Sequence, residues 1–507
     1  MELNEPLRES IEEPISEEPE TPYRGPGMWP GKTESGPRWY YGLPQAPRKN
    51  ISSTIDSSHV LPARLRKSQP KSLYHVAYNM STDKSRIQEP ETYSEAIQSA
   101  YASTWHAAIE SELDSLRKNK TWEWSDLGPG RKALDTKWVF KIKSDGRFKA
   151  HLVVKGYLQC YGIDYDKTFA PVAKFDSIRT LMAVASISGY HIHHMDVKTA
   201  FLNEDLEEKI YITPPEGIEF GEGKAVLRLR KSLYGLKQAP RAWYSKINNH
   251  LKSLGILRSE SDHTIYLYNK DSLFLAVAIY VDDILIFSNT YTAVEGFKKE
   301  LERTFDMADL GPVSRFLGID IPQQYENGKN ILELSQQKYI EQILEDTGLQ
   351  ESNSVLTSGV PNKRLFPHEG TSTADDTLNY QFAVGKLMYL ALATGADIAF
   401  SVYLVRRFSS NPGPSHWAAV KRIFRYLKGT MDLKLCFDGT DKLCAYTDAK
   451  WGGGDDRKSV GAYVFLLAGG AVSWTSKKQA TVALSSTEAK YMAVTQVAKH
   501  ALWISRL

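Results

Sequence analysis

Two adjacent aspartates, Asp282 and Asp283, are the residues whose types and surroundings point first to chemistry. They interrupt a strongly apolar segment, LFLAVAIYVDDILIF, and each half of that segment is typical of a buried strand. The simplest geometry is a hairpin with the two aspartates at its tip. Adjacent carboxylates in an apolar setting repel each other and lose hydration, so a bound cation would stabilise them.

A third carboxylate is needed to hold two metal ions at such a tip. Asp196, in the segment HHMDVKTAFLN, is the candidate. Hard cations such as Mg²⁺ bind carboxylate oxygens together with substrate phosphate, which is the arrangement that metal-assisted phosphoryl transfer requires. An ordinary Asp-Asp turn between two strands explains the hairpin segment equally well, because aspartate favours turns.

Other metal and nucleotide sites are disfavoured by the sequence. His191, His193 and His194 precede Asp196 without a cysteine or a partner at fixed spacing, which argues against zinc. The three cysteines form no CxxC pair, which argues against a disulfide framework and fits a reducing compartment. A P-loop ATPase is excluded because the chain has no GxxxxGK[ST] motif.

The elements that must position these residues mix helices and strands without regular βαβ alternation, which predicts an α+β fold. One helix is predicted from Tyr93 through Trp105 to Leu113, and later amphipathic helices contain Trp243, Phe297 and Phe424. No apolar run reaches eighteen residues, so no membrane span is expected. Residues 1–88 are rich in proline, serine and charge and are predicted to be disordered.

The formal net charge of +3 conceals an acidic start, since residues 1–20 contain eight glutamates and one arginine. The remaining chain is basic, and two segments concentrate its cations. Residues 224–241 contain six cations and no acid, and residues 137–155 contain six cations and one acid. Phosphate contacts of this kind give affinity for nucleic acid without sequence choice. A solvated strand face is the alternative for any single lysine.

The motifs around these residues resemble those of copia-type LTR-retrotransposon Pol polyproteins. In order along the chain they include KWVFKIKSDGRFKAHLVVKG, MDVKTAFLNEDLEEKIYITPPEG, KSLYGLKQAPRAWY, YVDDILIFS, MADLGPVSRFLGIDI and WTSKKQATVALSSTEAKY. The resemblance covers residues 90–507. A four-residue YVDD box is weak evidence by itself, whereas an ordered series of motifs is specific.

The resemblance implies a right-hand polymerase with palm, fingers and thumb, followed by a connection region and a partial ribonuclease H-like fold. The expected boundaries are 89–350 for the reverse transcriptase, 351–440 for the connection region and 441–507 for the truncated ribonuclease H part. The implied activity is RNA-directed DNA polymerisation, in which a primer 3′-hydroxyl attacks a deoxynucleoside triphosphate with two Mg²⁺ or Mn²⁺ ions at the palm.

The resemblance also assigns roles to individual residues. Asp196 and Asp282 would be the main metal ligands, the Val197 carbonyl would assist, and Asp283 would be a further metal ligand and the third catalytic carboxylate. The nucleotide-binding residues would be Lys155, Phe201, Tyr234 and Gly235. Phe201 would act as a steric gate against the 2′-hydroxyl, and a core aromatic is its alternative reading. Phe316, Leu317 and Gly318 would form the primer grip.

The resemblance further implies an RNA template, a DNA primer and deoxynucleoside triphosphates as partners, with other Pol or Gag parts of the element and no membrane. The implied location is intracellular, in the cytoplasm and in virus-like particles. The alternative function is that of a decayed or domesticated copy that binds nucleic acid without polymerising.

Three positions depart from the family pattern and favour that alternative: His151 stands where arginine is usual, and Lys450 and Lys490 stand where acids are usual. Asp448 and Glu488 match two of four ribonuclease H acids, although Glu488 also fits a capping box that begins at Ser485. We therefore expect residues 441–507 to cleave no RNA. We also expect their first strand to keep an open edge, and the segment to open more readily than the palm.

Overall fold

The computed structural model describes residues 28–33, 36–41, 89–143, 146–218, 225–361, 363–452 and 456–507. The chain divides into two units, Met1–Pro70 and Lys71–Leu507. In the first unit, strands β1 (Met28–Thr33) and β2 (Gly36–Tyr41) pair as an antiparallel hairpin. Apart from this hairpin, the predicted disorder of residues 1–88 concerns positions outside the described residues.

The α-helices of the second unit, within its described residues, are α1 (Tyr93–Gln98), α2 (Ala102–Lys118), α3 (Phe175–Ser188), α4 (Ala239–Ser253), α5 (Tyr291–Thr304), α6 (Gln337–Asp346), α7 (Ala374–Ala393), α8 (Ala399–Arg406), α9 (Pro414–Gly429) and α10 (Ser486–Ser505). None of the helices in the described part of the chain combines the length and the apolar character that crossing a membrane requires.

The strands of the second unit are β3 (Trp122–Ser125), β4 (Thr136–Ile142), β5 (Phe148–Val154), β6 (His191–Val197), β7 (Tyr211–Ile212), β8 (Val226–Leu229), β9 (Leu257–Arg258), β10 (Ile265–Lys270), β11 (Leu273–Tyr280), β12 (Asp283–Ser288), β13 (Met307–Pro312), β14 (Arg315–Phe316), β15 (Ile319–Asp320), β16 (Gln323–Glu326), β17 (Lys329–Leu334), β18 (Leu435–Phe437), β19 (Cys444–Lys450), β20 (Val460–Leu467) and β21 (Gly470–Lys478).

The central element is a six-stranded antiparallel sheet in the order β13-β6-β12-β11-β10-β9. Its strands are apolar on both faces, so each face supports a core. Met195, Ile284 and Ile286 belong to one core, whereas Leu285 and Phe287 belong to the other. This alternation follows from the period-2 geometry of a strand. The irregular mixture of helices and strands confirms the predicted α+β class.

The helix predicted from Tyr93 through Leu113 is divided into α1 and α2. The Ser99 hydroxyl donates to the Ala96 carbonyl and accepts the Tyr101 N–H, at 2.9 and 3.2 Å. These local side-chain bonds replace helical backbone bonds, which is how serine competes with a helix. Trp105 and Leu113 are nevertheless fully buried, so the predicted apolar face is correct for α2.

The C-terminal segment contains a three-stranded sheet, β19-β20-β21, and the long helix α10. Among the described strands, β19 pairs with β20 alone, so the predicted open edge is confirmed. The opposite edge strand, β21, packs against α3. Phe465, Val472 and Ile504 consequently share a core with Leu285 and Phe287 of the central sheet.

Candidate active site

The tip of the β11–β12 hairpin carries the adjacent aspartates, as the sequence predicted. Val281 and Asp282 form the turn, and Val281 has φ +60, a conformation that a β-branched residue adopts only under constraint. Two bonds hold this turn: the Trp243 indole N–H donates to the Val281 carbonyl at 2.7 Å, and the Val197 N–H donates to the Asp282 carbonyl at 2.9 Å.

The third aspartate, Asp196, lies directly opposite Asp283 because β6 pairs with β12 in that register. Paired residues on antiparallel strands project to the same side, so the two carboxylates are neighbours. Three aspartates from two separate chain segments therefore lie at one end of the central sheet. Met307 pairs with Val197 on the other side of β6.

Repulsion among the three aspartates makes the ionised forms of Asp196 and Asp282 less stable. Burial, and then the charges of Asp283 and Asp196, raise the pKa of Asp282 to about 6. Burial and the charge of Asp283 also raise the pKa of Asp196, while Lys143 and Lys149 oppose the rise. Closely spaced oxygen donors that resist ionisation suit a hard cation, which would relieve both the desolvation and the repulsion.

The described side chains do not by themselves form a cluster of three or more possible metal ligands. Asp283 accepts a hydrogen bond at Oδ1 from Nε2 of His194, at 2.8 Å. The hairpin tip and the paired ends of β6 and β12 nevertheless supply aspartate oxygens, the donors that a hard cation such as Mg²⁺ or Mn²⁺ prefers.

Tyr234 and Phe201 line the same end of the sheet. Their rings meet edge to face with centroids 4.5 Å apart, and Phe201 is 7% exposed. Burial raises the pKa of the Tyr234 hydroxyl, as do the charge of Asp282 and a hydrogen bond to its side chain. Phe201 thus contacts Tyr234, which in turn is bonded to Asp282, and this position is compatible with both the steric gate and the core aromatic.

Gly235 brings the Tyr234 loop into contact with the end of β5. It has φ +94, and a Cβ at this position would lie 2.1 Å from the Val154 carbonyl oxygen. The Val154 N–H donates to the Tyr234 carbonyl at 2.8 Å. Glycine is therefore required both by the backbone conformation and by the lack of space.

Lys155 does not lie among the groups that perturb the aspartates. Its ammonium lies 3.4 Å from Asp135 Oδ2, and it lines a cavity of about 400 Å³ together with Glu91, Tyr93 and Trp138. Its assignment as a triphosphate contact stays a prediction.

Lys149 is the cation that the sequence reasoning missed. Burial of its ammonium group, and then the charge of Lys143, lower the pKa of Lys149, whereas the charges of Glu112, Asp196 and Asp282 raise it. Strand alternation was the available signal, because Ala150 and Leu152 are buried on the other face of β5.

The predicted primer-grip residues form a tight hairpin between β14 and β15. Leu317 and Gly318 make the turn with φ +47 and +75, and Phe316 is 2% exposed. The Tyr389 hydroxyl of α7 donates to the Leu317 carbonyl, so α7 supports this hairpin.

Most cations of the described basic segment, residues 225–241, form ion pairs or hydrogen bonds with other residues of the chain. Arg228 and Arg230 pair with Glu123 at 3.6 and 2.5 Å, and Lys231 pairs with Asp205 at 3.2 Å. Lys224 lies outside the described residues.

Asp448 and Glu488, the two predicted ribonuclease H acids, each interact with a neighbouring group of the chain. The Asp448 side chain is 79% exposed, with the Lys490 ammonium 3.8 Å away. Glu488 accepts the Leu484 N–H at 2.6 Å, and its own N–H donates to Ser485 Oγ at 3.1 Å. The predicted capping role of Ser485 at the start of α10 is confirmed, and Glu488 contributes to that helix start.

Comparison with known proteins agrees with this arrangement. Residues 119–361 match the family described as reverse transcriptase (RNA-dependent DNA polymerase). The Pol polyprotein of transposon TNT 1-94 from Nicotiana tabacum is 43% identical over 432 residues, 82% of this chain and 32% of the relative. A putative transposon Ty5-1 protein of Saccharomyces cerevisiae is 36% identical over 307 residues, 60% of this chain and 98% of the relative.

This chain belongs to the reverse transcriptases of retrotransposon Pol polyproteins. The copia-type resemblance of the ordered motifs is thereby confirmed, and the family match spans all strands of the six-stranded sheet. The chain spans about a third of the length of the tobacco relative. A solved structure of the foamy viral protease-reverse transcriptase in complex with double-stranded DNA aligns with TM-score 0.43 and 12% identity, covering 85% of this chain and 64% of that chain.

Proposed function

We propose that this reverse transcriptase chain is an RNA-directed DNA polymerase whose palm carboxylates hold two divalent cations. The observation that carries the proposal is the β6–β12 register, which places Asp196 opposite Asp283 beside Asp282 at the hairpin tip, where burial and the neighbouring carboxylates raise the pKa of Asp282. A site that disfavours its own negative charge gains most from bound cations. The partners would be an RNA template, a DNA primer and deoxynucleoside triphosphates.

In this proposal the primer 3′-oxygen attacks the α-phosphate, a new phosphodiester bond forms and pyrophosphate leaves. When bound, Mg²⁺ or Mn²⁺ would lower the pKa of the primer hydroxyl and stabilise charge on the leaving group. Asp196 and Asp282 would hold the ions, assisted by the Val197 carbonyl and Asp283. Phe201 would contact the sugar, and Lys149 would attract the triphosphate.

The main experiment is primer extension by the full chain on an RNA template. We expect extension only with Mg²⁺ or Mn²⁺, and we expect Asp282→Asn to lower its rate by at least about a hundredfold while template affinity survives. The matched control is Asp271→Asn, an aspartate in the turn at the other end of β11. An Asp282→Asn chain that extends as fast as the parent would refute the assignment.

A second candidate function, nucleic-acid binding without polymerisation, is favoured by His151. Its Nδ1 lies 3.3 Å from Glu112 Oε1, and this position carries arginine in the resembling family. A parent chain that binds template but extends no primer would favour this second candidate.

We also propose that residues 441–507 cleave no RNA. Asp448 is exposed beside Lys490, and Glu488 is bonded at the start of α10, so these two acids hold no shared ion in this arrangement. The RNA strand should therefore remain intact in the extension assay.

A further inference from the structure

His194 lies next to Asp283 and does not form a separate site with the other two histidines of β6. It precedes Asp196 by two residues on β6, so both side chains belong to the same face of the strand. The β6–β12 register places Asp283 opposite Asp196 and Leu285 opposite His194. Asp283 is thus a diagonal neighbour of the imidazole, which donates from Nε2 to Asp283 Oδ1 at 2.8 Å.

The other side of the imidazole packs on the primer-grip hairpin. The His194 and Phe316 rings meet edge to face with centroids 5.4 Å apart. His194 is 8% exposed and Phe316 is 2% exposed, so the contact is buried. The next residue of that hairpin, Leu317, is held in turn by Tyr389. The ring is therefore confined between a palm carboxylate and a hairpin that is braced from α7.

The hydrogen bond limits what Asp283 can do with a cation. A carboxylate has two oxygens, and a donor aimed at Oδ1 fixes the plane of the group and occupies part of that oxygen's capacity. Partners of this type commonly tune a metal ligand without touching the metal. A surface ion pair would lack this effect, but the His194 side chain is only 10% exposed.

We propose that His194 is a positioning residue of the palm metal site: it fixes Asp283 through Oδ1, leaves Oδ2 as the oxygen available to a cation, and couples this carboxylate to the Phe316 hairpin. The inference rests on the proposed function in that Asp283 serves a cation site. It predicts that Mn²⁺ affinity depends on an N–H donor at residue 194 and not merely on the volume of that side chain.

The test compares donor-keeping and donor-free substitutions by Mn²⁺ binding to the full chain, measured from the electron paramagnetic resonance of free Mn²⁺. His194→Gln keeps an N–H donor, whereas His194→Leu keeps bulk without one. His194→Phe is a second donor-free variant that keeps a ring against Phe316, in case the leucine variant does not fold. His193→Leu is the control on the same strand, since His193 is buried against Tyr291 instead.

We expect both donor-free variants to weaken Mn²⁺ binding about tenfold, and His194→Gln and His193→Leu to bind Mn²⁺ as the parent does. Asp283→Asn should also weaken binding, and combining it with His194→Leu should add little, because both changes remove one interaction. Parent-like binding by the donor-free variants, or full additivity in the double variant, would overturn the inference.

Primer extension by the same variants separates this inference from the proposed function. If the parent extends primers while the donor-free variants bind Mn²⁺ normally, the role of His194 is refuted and the polymerase assignment stands. If the parent extends no primer but the Mn²⁺ effects are non-additive, the polymerase assignment fails and the coupling between His194 and Asp283 stands.

Discussion

The Asp282 carboxylate ionises less readily than an ordinary aspartate, because burial and the charges of Asp283 and Asp196 raise its pKa to about 6. A raised pKa in the folded state means that the folded chain binds this proton more tightly than the unfolded chain does. The contribution of Asp282 to the free energy of unfolding is therefore fully present below about pH 4 and is lost as the pH rises through about 6. Asp196 interacts with the same charges, so the site titrates as a coupled set.

Without metal ions, Asp282→Asn should unfold at a higher temperature than the parent near neutral pH. The expected gain in the free energy of unfolding is of order 1 kcal/mol, because the substitution removes a charge that burial disfavours. The difference should shrink as the pH falls and vanish below about pH 3, where the parent carboxyl is protonated in both states. Thermal unfolding with a chelator across this pH range measures it, and parallel curves for the two proteins would contradict it.

Lys149 and Lys155 give opposite expectations for triphosphate binding. Lys149 interacts with Asp196 and Asp282, whereas Lys155 lies beside Asp135. Lys149→Gln should raise the KM for deoxynucleoside triphosphate about tenfold, since a hydrogen bond to a charged group contributes about 1.5–3 kcal/mol. If Lys155 is the triphosphate contact instead, as the family resemblance implies, Lys155→Gln should raise that KM and Lys149→Gln should leave it unchanged. Steady-state extension kinetics measure both, and the reverse ranking would restore Lys155 as the triphosphate contact.

At the scale of elements, the site depends on how closely two backbone segments approach. The end of β5 and the Tyr234–Gly235 loop are joined by a backbone bond from Val154 N–H to Tyr234 O. A methyl group at Gly235 would meet the backbone of Val154 and the side chain of Val153. Since backbone atoms cannot yield separately, the loop as a whole would move away from the strand.

Gly235→Ala should therefore abolish most primer extension and lower the free energy of unfolding by more than about 1 kcal/mol. Gly255→Ala is the matched control, because Gly255 also has positive φ, at +77, but open space lies around it. Gly255→Ala should lower the free energy of unfolding because of its positive φ, but it should leave the rate of primer extension unchanged. Thermal unfolding and extension rates separate the two effects, and equal loss of extension in both variants would show that the contact with β5 is unimportant.

At the scale of the whole second unit, Arg179 joins segments that lie far apart in the sequence. From α3 its guanidinium donates to the carbonyls of Val472 at 2.8 Å, Leu392 at 2.6 Å and Ala393 at 2.9 Å. It also stacks on the Trp474 ring at 3.8 Å. Helix α3, the C-terminal end of α7 and β21 are therefore held together by one buried cation. The expectation that residues 441–507 open first thus applies best to the edge strand β19.

Arg179→Met should lower the free energy of unfolding by about 3 kcal/mol, because it leaves buried carbonyls without donors. Hydrogen exchange should then become faster in β21, whereas in the parent β21 exchanges as slowly as β12 and β19 exchanges fastest. Arg303→Met is the control, since Arg303 is an exposed residue paired with Glu300 on one helix and should change stability little. Fast exchange of β21 in the parent would show that the C-terminal segment opens independently.

The sequence by itself determined the features that depend on neighbouring residues. The hairpin at Asp282 followed from period-2 apolar strands around a turn, and the face of α4 that carries Trp243 followed from helical spacing that ends before Gly255. The ordered motifs determined the family. Local geometry is sufficient for each of these, because strand alternation and helical periodicity are properties of consecutive residues.

Only the tertiary structure decided which residues lie next to the carboxylates. The bond between His194 and Asp283 depends on the register of β6 against β12, which are separated by almost ninety residues. The charge of Lys149 on β5 likewise acts on Asp196 and Asp282, which belong to segments that lie far from β5 in the sequence. A shift of one residue in a register would reverse the face of every side chain on the strand. Distances across paired strands are therefore set by the packing of the whole unit and not by the spacing of residues along the chain.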